Sequence, residues 1–444
     1  MLLLAAVSPF CAAQDRLRLH GSNTIGERLA PELVTAWLKS EGYREVKRVE
    51  VAFEEIELHA LRASERVIVE IHAHGSSTGF KDLAAGRADI AMSSRPTSAA
   101  DALPGVGKLD SISQEIVLAL DGLAVVVHPS SPLPALSKSQ LQAVFSGRVT
   151  DWATLGGRPG RIALHARDEK SGTWESFRTL VLGSEALATT ATRYESTAQL
   201  AAAVAADPNA IGFVGLSGVQ GVRALAVSDG GKAVGPTREE VAVEDYPLSR
   251  RLYFYLPQKP SQRALAFAGF ALAAEGQAVA ERVGFVSQNI RAYAGTARSD
   301  TPAEYQTLVN GARRLSLNFR FGAGDAFLDS KALRDLDRLA AFMQQPAQQD
   351  QRLLLLGFSD AEEALPVLAV FLSNERVDYI ANRLIERGID PARSRGMGGV
   401  APVAANDTAL GKQRNRRVEV WLAASGATQK LAASDAAGRR GAAE

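Results

Sequence analysis

Arg167-Asp168-Glu169-Lys170-Ser171-Gly172-Thr173 follows the short apolar run Ile162 to Ala166 and precedes Trp174, Phe177, Leu180 and Val181 at helical spacing. The pattern reads as strand, polar turn and helix start. Such a turn has the chemistry of an anion site. A helix start leaves N–H groups unpaired at the positive end of its dipole, Ser171 and Thr173 add hydroxyls, and the Arg167 guanidinium can fork two hydrogen bonds onto an oxyanion. Alone, the stretch reads equally well as a capped helix beside a solvated arginine.

Repetition favours the site. Leu17-Arg18-Leu19-His20 alternates like a strand and runs into Gly21-Ser22-Asn23-Thr24, followed by Leu29, Leu33, Trp37 and Leu38 at helical spacing with Pro31 in the first turn. The β-branched run Val67 to Ile71 leads to Gly75-Ser76-Ser77-Thr78-Gly79 and a short helix closed by Gly86; the strand Asp89 to Met92 delivers Ser93-Ser94-Arg95-Pro96. Gly, Ser, Thr and Asn dominate turns everywhere. Four such turns at strand ends, three of them opening helices, instead converge on one crevice, because ligands of open α/β sheets sit outside the carboxyl ends of the strands. That crevice carries Arg95 and Arg167, with Asp168 and Glu169 limiting how anionic its occupant can be.

The chain has 444 residues, enough for two or three domains. A formal net charge of +1 argues against a nucleic-acid partner and against a polybasic membrane anchor. Met1 to Ala13 reads as a secretory signal peptide cleaved before Gln14. The single cysteine, Cys11, lies inside it behind Phe10, too large a neighbour for lipidation, so the mature chain is expected to have no disulfide or thiolate chemistry. No P-loop or His-Glu-x-x-His is present, and neither enzyme activity nor a cofactor is expected.

The four turns, together with Ala119-Leu120-Asp121-Gly122-Leu123-Ala124-Val125-Val126-Val127, Phe145-Ser146-Gly147 through Trp152, and Tyr246-Pro247-Leu248-Ser249-Arg250, resemble the periplasmic phosphate-binding proteins of ABC importers over roughly Arg16 to Ile290. The resemblance implies an α/β, two-lobed type II periplasmic binding protein fold, with chain crossings near Ser113 to Val117 and Val241 to Tyr255. It implies phosphate or a similar tetrahedral oxyanion as ligand, an ABC permease as a further partner, and Asn23, Thr24, Ser76, Ser93, Ser94, Arg167, Ser171, Gly172 and Thr173 as anion-binding residues. Ser77 and Arg95 complete the set from the same turns. The family often has an aspartate where Ser94 stands, to accept the proton that phosphate carries and sulfate lacks; Glu169 is the candidate substitute. The energetics are undemanding: hydrogen bonds to a charged group are worth about 1.5 to 3 kcal/mol, and micromolar affinity needs only about 8 kcal/mol.

His20 precedes the first turn, His74 the second, and His165 lies two residues before Arg167. They read either as polar strand ends or as groups that titrate near neutrality and make anion affinity pH-dependent. His72 and His74 share a strand face, but with no carboxylate or thiol partner in view no metal is assigned.

Beyond Ala292 to Pro302 a new pattern starts. Leu315, Leu317, Phe319 and Phe321 alternate as a strand; Leu333, Leu336, Leu339, Ala340 and Met343 mark a helix; Leu353 to Leu356 a buried strand; Val377, Ile380, Ala381, Leu384 and Ile385 a second helix stopped by Gly388; and Val418, Val420 and Leu422 a last strand. This is a small α/β sandwich with one helical face. Gly357-Phe358-Ser359-Asp360, Leu372-Ser373-Asn374-Glu375-Arg376, Arg387-Gly388-Ile389-Asp390 and Asn406-Asp407-Thr408 through Asn415-Arg416-Arg417-Val418-Glu419 resemble the OmpA-like peptidoglycan-binding domain. The resemblance implies that Asp360 and Arg376 clasp the ammonium and carboxylate of diaminopimelate in the cell-wall peptide, while Arg416 is structural or anion-facing. The expected plan is a signal peptide at 1–13, an oxyanion-binding domain at 14–295, a linker at 296–312, an OmpA-like domain at 313–422 and a disordered tail at 423–444. The whole reads as a periplasmic protein held at peptidoglycan or the outer membrane. Its rival is an envelope scaffold whose solute domain has lost its ligand.

Overall fold

Leu17 and Leu19 are buried on one face of the first strand while Arg16, Arg18 and His20 point to the other, and this two-residue period sets the first lobe. The computed structural model describes residues 15–425 except 64, 170, 296–300, 323–327 and 364, so the expected signal peptide and the tail from 426 onward lie outside the described residues. The first lobe contains β1 (Asp15–Gly21), α1 (Ala30–Ser40), β2 (Arg44–Ala52), β3 (Glu55–Arg62), β4 (Glu65–His72), α2 (Ser76–Ala84) and β5 (Ile90–Ser93). β1 lies parallel between β4 and β5. Leu33, Val34, Trp37 and Leu38 of α1 cover its apolar face.

β6 (Glu115–Val127) is buried along its whole length. It leaves the first lobe and enters the second, made of β7 (Ala135–Ser137), α3 (Lys138–Phe145), β8 (Ala163–Arg167), α4 (Gly172–Phe177), β9 (Thr192–Tyr194), α5 (Thr197–Ala206), β10 (Ala210–Gly215), β11 (Arg223–Ala224), β12 (Ala226–Ser228) and α6 (Arg238–Ala242). The stacked rings of Phe177 and Phe213, 3.9 Å apart, centre its core. The return crossing is β13 (Ser249–Tyr255), antiparallel to β6, followed by α7 (Gln262–Leu272) and α8 (Ala274–Val283) over the first lobe. One sheet therefore runs through both lobes in the order β2-β3-β4-β1-β5-β13-β6-β10-β8-β9. The first crossing lies close to its expected position. The second begins later than expected, because Val241 belongs to α6, a helix capped by Thr237.

β14 (Ala292–Ala294), α9 (Ala303–Val309), β15 (Arg313–Arg320), α10 (Ser330–Met343), β16 (Gln351–Gly357), α11 (Pro366–Ile385), β17 (Arg393–Gly396), α12 (Ala409–Asn415) and β18 (Arg417–Ala424) complete the chain, with sheet order β14-β15-β18-β16-β17. α10 and α11 cover one face. Residues 303–309 are not linker: Tyr305, Leu308 and Val309 form an apolar stripe that packs on Leu354, Leu356 and Trp421 of the other face. β14 likewise extends this sheet rather than the first domain's. Ala423, placed in the tail by sequence, is buried in β18.

This last domain docks on the others through polar contacts. Arg320 reaches Asp245 (2.6 Å), Arg414 reaches Asp229 (3.0 Å), Ser330 reaches Glu115 on β6 (2.5 Å) and Asp329 receives Arg251 of β13 (2.6 Å). Both crossing strands thus carry a contact to the third domain. Arg320→Ala leaves Asp245 with the longer Asn318 bond of 3.4 Å. Breaking a buried pair from one side costs about 3 to 5 kcal/mol, and the variant is expected to show a correspondingly lower denaturant midpoint.

Candidate functional site

The turns that follow β1, β4 and β5 are tied together by backbone. Gly75 N–H donates to Gly21 O (2.8 Å) and Ser22 N–H to Met92 O (2.9 Å). Gly21 is required here: it has φ +135°, and a Cβ would lie 2.1 Å from Met92 O. Ser94 N–H donates to Ser76 Oγ (3.1 Å), whose own distance to Ser94 Oγ is 3.4 Å. Ser93 turns inward and donates to Arg95 O (2.7 Å).

On the second lobe, β8 ends at Arg167 and Ser171 caps α4, accepting from Thr173 N–H at 3.2 Å. The buried guanidinium of Arg167 is fixed by Thr197 Oγ1 (2.7 Å), Glu195 O (2.8 Å) and Tyr194 O (3.3 Å). The lobes meet at Gly172 and Thr24. A Cβ on Gly172 would lie 2.4 Å from Thr24 Cα, so no other residue allows that approach. Thr24 Oγ1 donates to Gly172 O (3.2 Å) and accepts from Arg250 (2.6 Å).

Arg250 is the residue that sequence reasoning missed. It sits on β13 opposite Asp121 of β6, donates to that carboxylate at 3.2 Å, and touches both lobes through Thr24 and Gly172 O (3.3 Å). Burial raises the Asp121 carboxyl above its ordinary range, against the pull of Arg250. The signal was present in the quoted Leu120-Asp121-Gly122 and Ser249-Arg250 motifs, but only the strand pairing brings the two together.

Three cavities lie at the lobe boundary. One of about 380 Å³ is lined by Asn23, Arg48, Glu54, Arg167, Asp168 and Ser171. A smaller one of about 110 Å³ is lined by Thr24, Arg167, Gly172 and Thr173. The third, about 460 Å³, includes Asn23, Ser171, Trp174 and Glu175. Asn23, Thr24, Arg167, Ser171, Gly172 and Thr173 are therefore brought together, with Asn23 Nδ2 donating to Glu54 (2.9 Å). Ser76, Ser77, Ser93, Ser94 and Arg95 line none of the three. Arg95 is turned aside: it grips Asp101 through two bonds (2.6 and 2.9 Å), reaches Ser77 (3.1 Å), and holds the Asp101 carboxyl at about 2.

Two other expectations are corrected. Glu169 lines the third cavity, but its carboxylate is already taken: the side chain is 76% exposed and pairs with Arg193 at 3.1 Å. The buried acceptor is Glu175, whose Oε2 has no hydrogen-bond partner among the described residues. Nor do His20, His74 and His165 line these cavities. His20 lies between Asp82 and Glu70, His74 reaches Phe53 O (3.3 Å), and His165 packs on Tyr194 (2.9 Å) with burial pushing its imidazole below the ordinary range.

In the third domain, Asp360 and Arg376 are both buried and each already has an internal partner. Asp360 accepts from Arg416 at 2.8 Å, and Glu363 takes both arms of Arg376, one at 2.8 Å. Glu363 thus occupies the fork of the Arg376 guanidinium.

Comparison with known proteins is consistent with these two parts. Residues 58–275 match the model of the PBP superfamily domain, and residues 320–416 that of the OmpA family. Protein SphX of Synechococcus elongatus is 28% identical over 52% of this chain and 72% of its own length. The phosphate-binding protein PstS of Pseudomonas aeruginosa is 28% identical over 50% and 74%, and that of Bacillus subtilis 28% identical over 40% and 57%. Among solved structures, an ABC-type phosphate transport receptor from Vibrio cholerae aligns with 61% of this chain and 99% of its own, at 23% identity and a TM-score of 0.49. The chain joins a PBP superfamily domain to a C-terminal OmpA family domain.

Proposed function

We propose that this protein captures phosphate between its two lobes in the periplasm and is held to peptidoglycan by its third domain, with an ABC permease as the natural recipient of the anion. The observation that carries the reading is Arg167: a buried guanidinium, immobilised by three acceptors of its own lobe, that shares cleft cavities with Asn23, Ser171 and Thr173. A pre-oriented cation and hydroxyl donors bind an oxyanion without paying much ordering entropy. Relatives named as phosphate-binding proteins support the choice of ligand. Glu175 supplies an acceptor for the proton of hydrogen phosphate, the role left open by Ser94, and it lies within electrostatic range of Arg95. Closure about the β6–β13 pair brings Gly172 onto Thr24 and shuts water out.

Calorimetry on the full mature chain, stripped of carried-over ligand by unfolding and refolding, tests the site. Wild type is expected to bind phosphate at micromolar Kd or tighter. Arg167→Ala removes two charge-assisted bonds worth about 1.5 kcal/mol each, a loss of about a hundredfold. Glu175→Gln is expected to erase the preference for phosphate over sulfate. Binding of neither anion by wild type would leave the wall-held scaffold as the better account.

Closure has its own test. Gly172→Ala cannot bring Thr24 to its observed distance, and small-angle scattering is expected to show the variant extended with phosphate present, where wild type contracts. For the third domain, Glu363→Ala uncovers Arg376 and is expected to increase retention on purified sacculi, while Asp360→Ala lowers it.

A further inference from the structure

The polar face of the first lobe's sheet carries an ordered row of imidazoles and carboxylates. His20 of β1 pairs in register with His72 of β4, and His72 with Glu55 of β3; Glu70 shares the face of His72, two residues earlier. The rings of His20 and His72 stack with centroids 4.1 Å apart. Glu70 Oε1 is 3.0 Å from His20 Nε2 and 3.3 Å from His72 Nε2, so three ligand atoms point at one spot. The outer groups are oriented too. Asp82 accepts from His20 Nδ1 (2.8 Å) and is itself gripped by Arg87, while Arg16 holds the other oxygen of Glu70 (3.1 Å).

This arrangement lacks one positive centre. A neutral imidazole has a single N–H; with that proton on Nδ1 toward Asp82, the Nε2 lone pair of His20 faces a carboxylate oxygen. Either an imidazolium or a cation between them resolves the contact. The stacked second ring, whose own Nε2 meets the same oxygen, favours the cation. The separations fit: a tetrahedral zinc with bonds of about 2.0 to 2.1 Å spaces its ligand atoms about 3.3 Å apart.

We propose that His20, His72 and Glu70 bind one divalent ion of the zinc class, with Asp82 positioning His20. Asp82, His20 and the ion form the carboxylate–histidine–metal relay that fixes a ligand's tautomer. Glu55, whose Oε2 is 3.7 Å from His72 Nε2, stands next to the open position. Two imidazoles with one carboxylate select zinc-like ions over calcium and magnesium, which prefer all-oxygen sites. The site ties β1 to β4 immediately before the turns bearing Asn23 and Ser76, and it stands whether or not the cleft binds phosphate.

The test uses the untagged full-length mature chain, cleared of metal by a chelator, in phosphate-free buffer. Zn²⁺ is titrated in competition with a chromophoric chelator, and Co²⁺ is added separately to read visible d–d absorption. The expected result is one ion per chain, a raised Tm with Zn²⁺ but not Ca²⁺, and a tetrahedral-type Co²⁺ spectrum. His72→Ala and Glu70→Gln are each expected to weaken Zn²⁺ binding at least a hundredfold and Asp82→Asn about tenfold, with His128→Ala, on the second lobe, unchanged. Absence of Zn²⁺ binding by wild type, or undiminished binding by folded His72→Ala and Glu70→Gln, overturns the assignment. Should those variants fail to fold, a wild-type chain with no tetrahedral Co²⁺ spectrum overturns it equally.

Discussion

The antiparallel pairing of β6 with β13 is the constraint on which the other parts depend. These two strands are the crossings between the lobes, and at their register pair Asp121–Arg250 one guanidinium contacts the hinge, Thr24 of the first lobe and Gly172 of the second. A buried arginine bonded to a carboxylate, a hydroxyl and a carbonyl has few alternative positions, so the lobes meet at a defined point. The third domain is fastened to the same strands through Glu115 and Arg251. The junction of the lobes and the placement of the third domain therefore share one structural element.

The cavities at the lobe boundary carry charges of both signs. Arg167 is their fixed cation, Asp168 and Glu54 line the same cavity, Glu175 lines a neighbouring one, and Arg95 is neutralised by Asp101. The third domain likewise pairs its buried charges, Asp360 with Arg416 and Arg376 with Glu363.

The first lobe's sheet is asymmetric. Leu17, Leu19, Val67, Val69 and Ile71 pack beneath α1, whereas the opposite face carries Arg16, Arg18, His20, Glu70 and His72 with α2 over part of it. A sheet covered on both sides normally buries apolar residues on both. Here ionic pairing takes the place of packing on one side.

By itself the sequence determined the strand–turn–helix units that carry the polar turns and the existence of a separate third domain, because two- and 3.6-residue periods and turn chemistry are local properties. Arg167 and Ser171 were legible for the same reason, lying within one strand–turn–helix. The β2–β3 hairpin was not, since register shifts near Arg44 to Lys47 and Glu50 to Ala52 break its two-residue period. Tertiary structure alone decided which charges meet. Arg250 joined the cleft through a partner 129 residues away, Arg95 was diverted to Asp101, Glu363 covered Arg376, and Glu70 and His72 met His20 through the pairing of β1 with β4. Side-chain charges find partners by distance in space, and no local pattern encodes that distance.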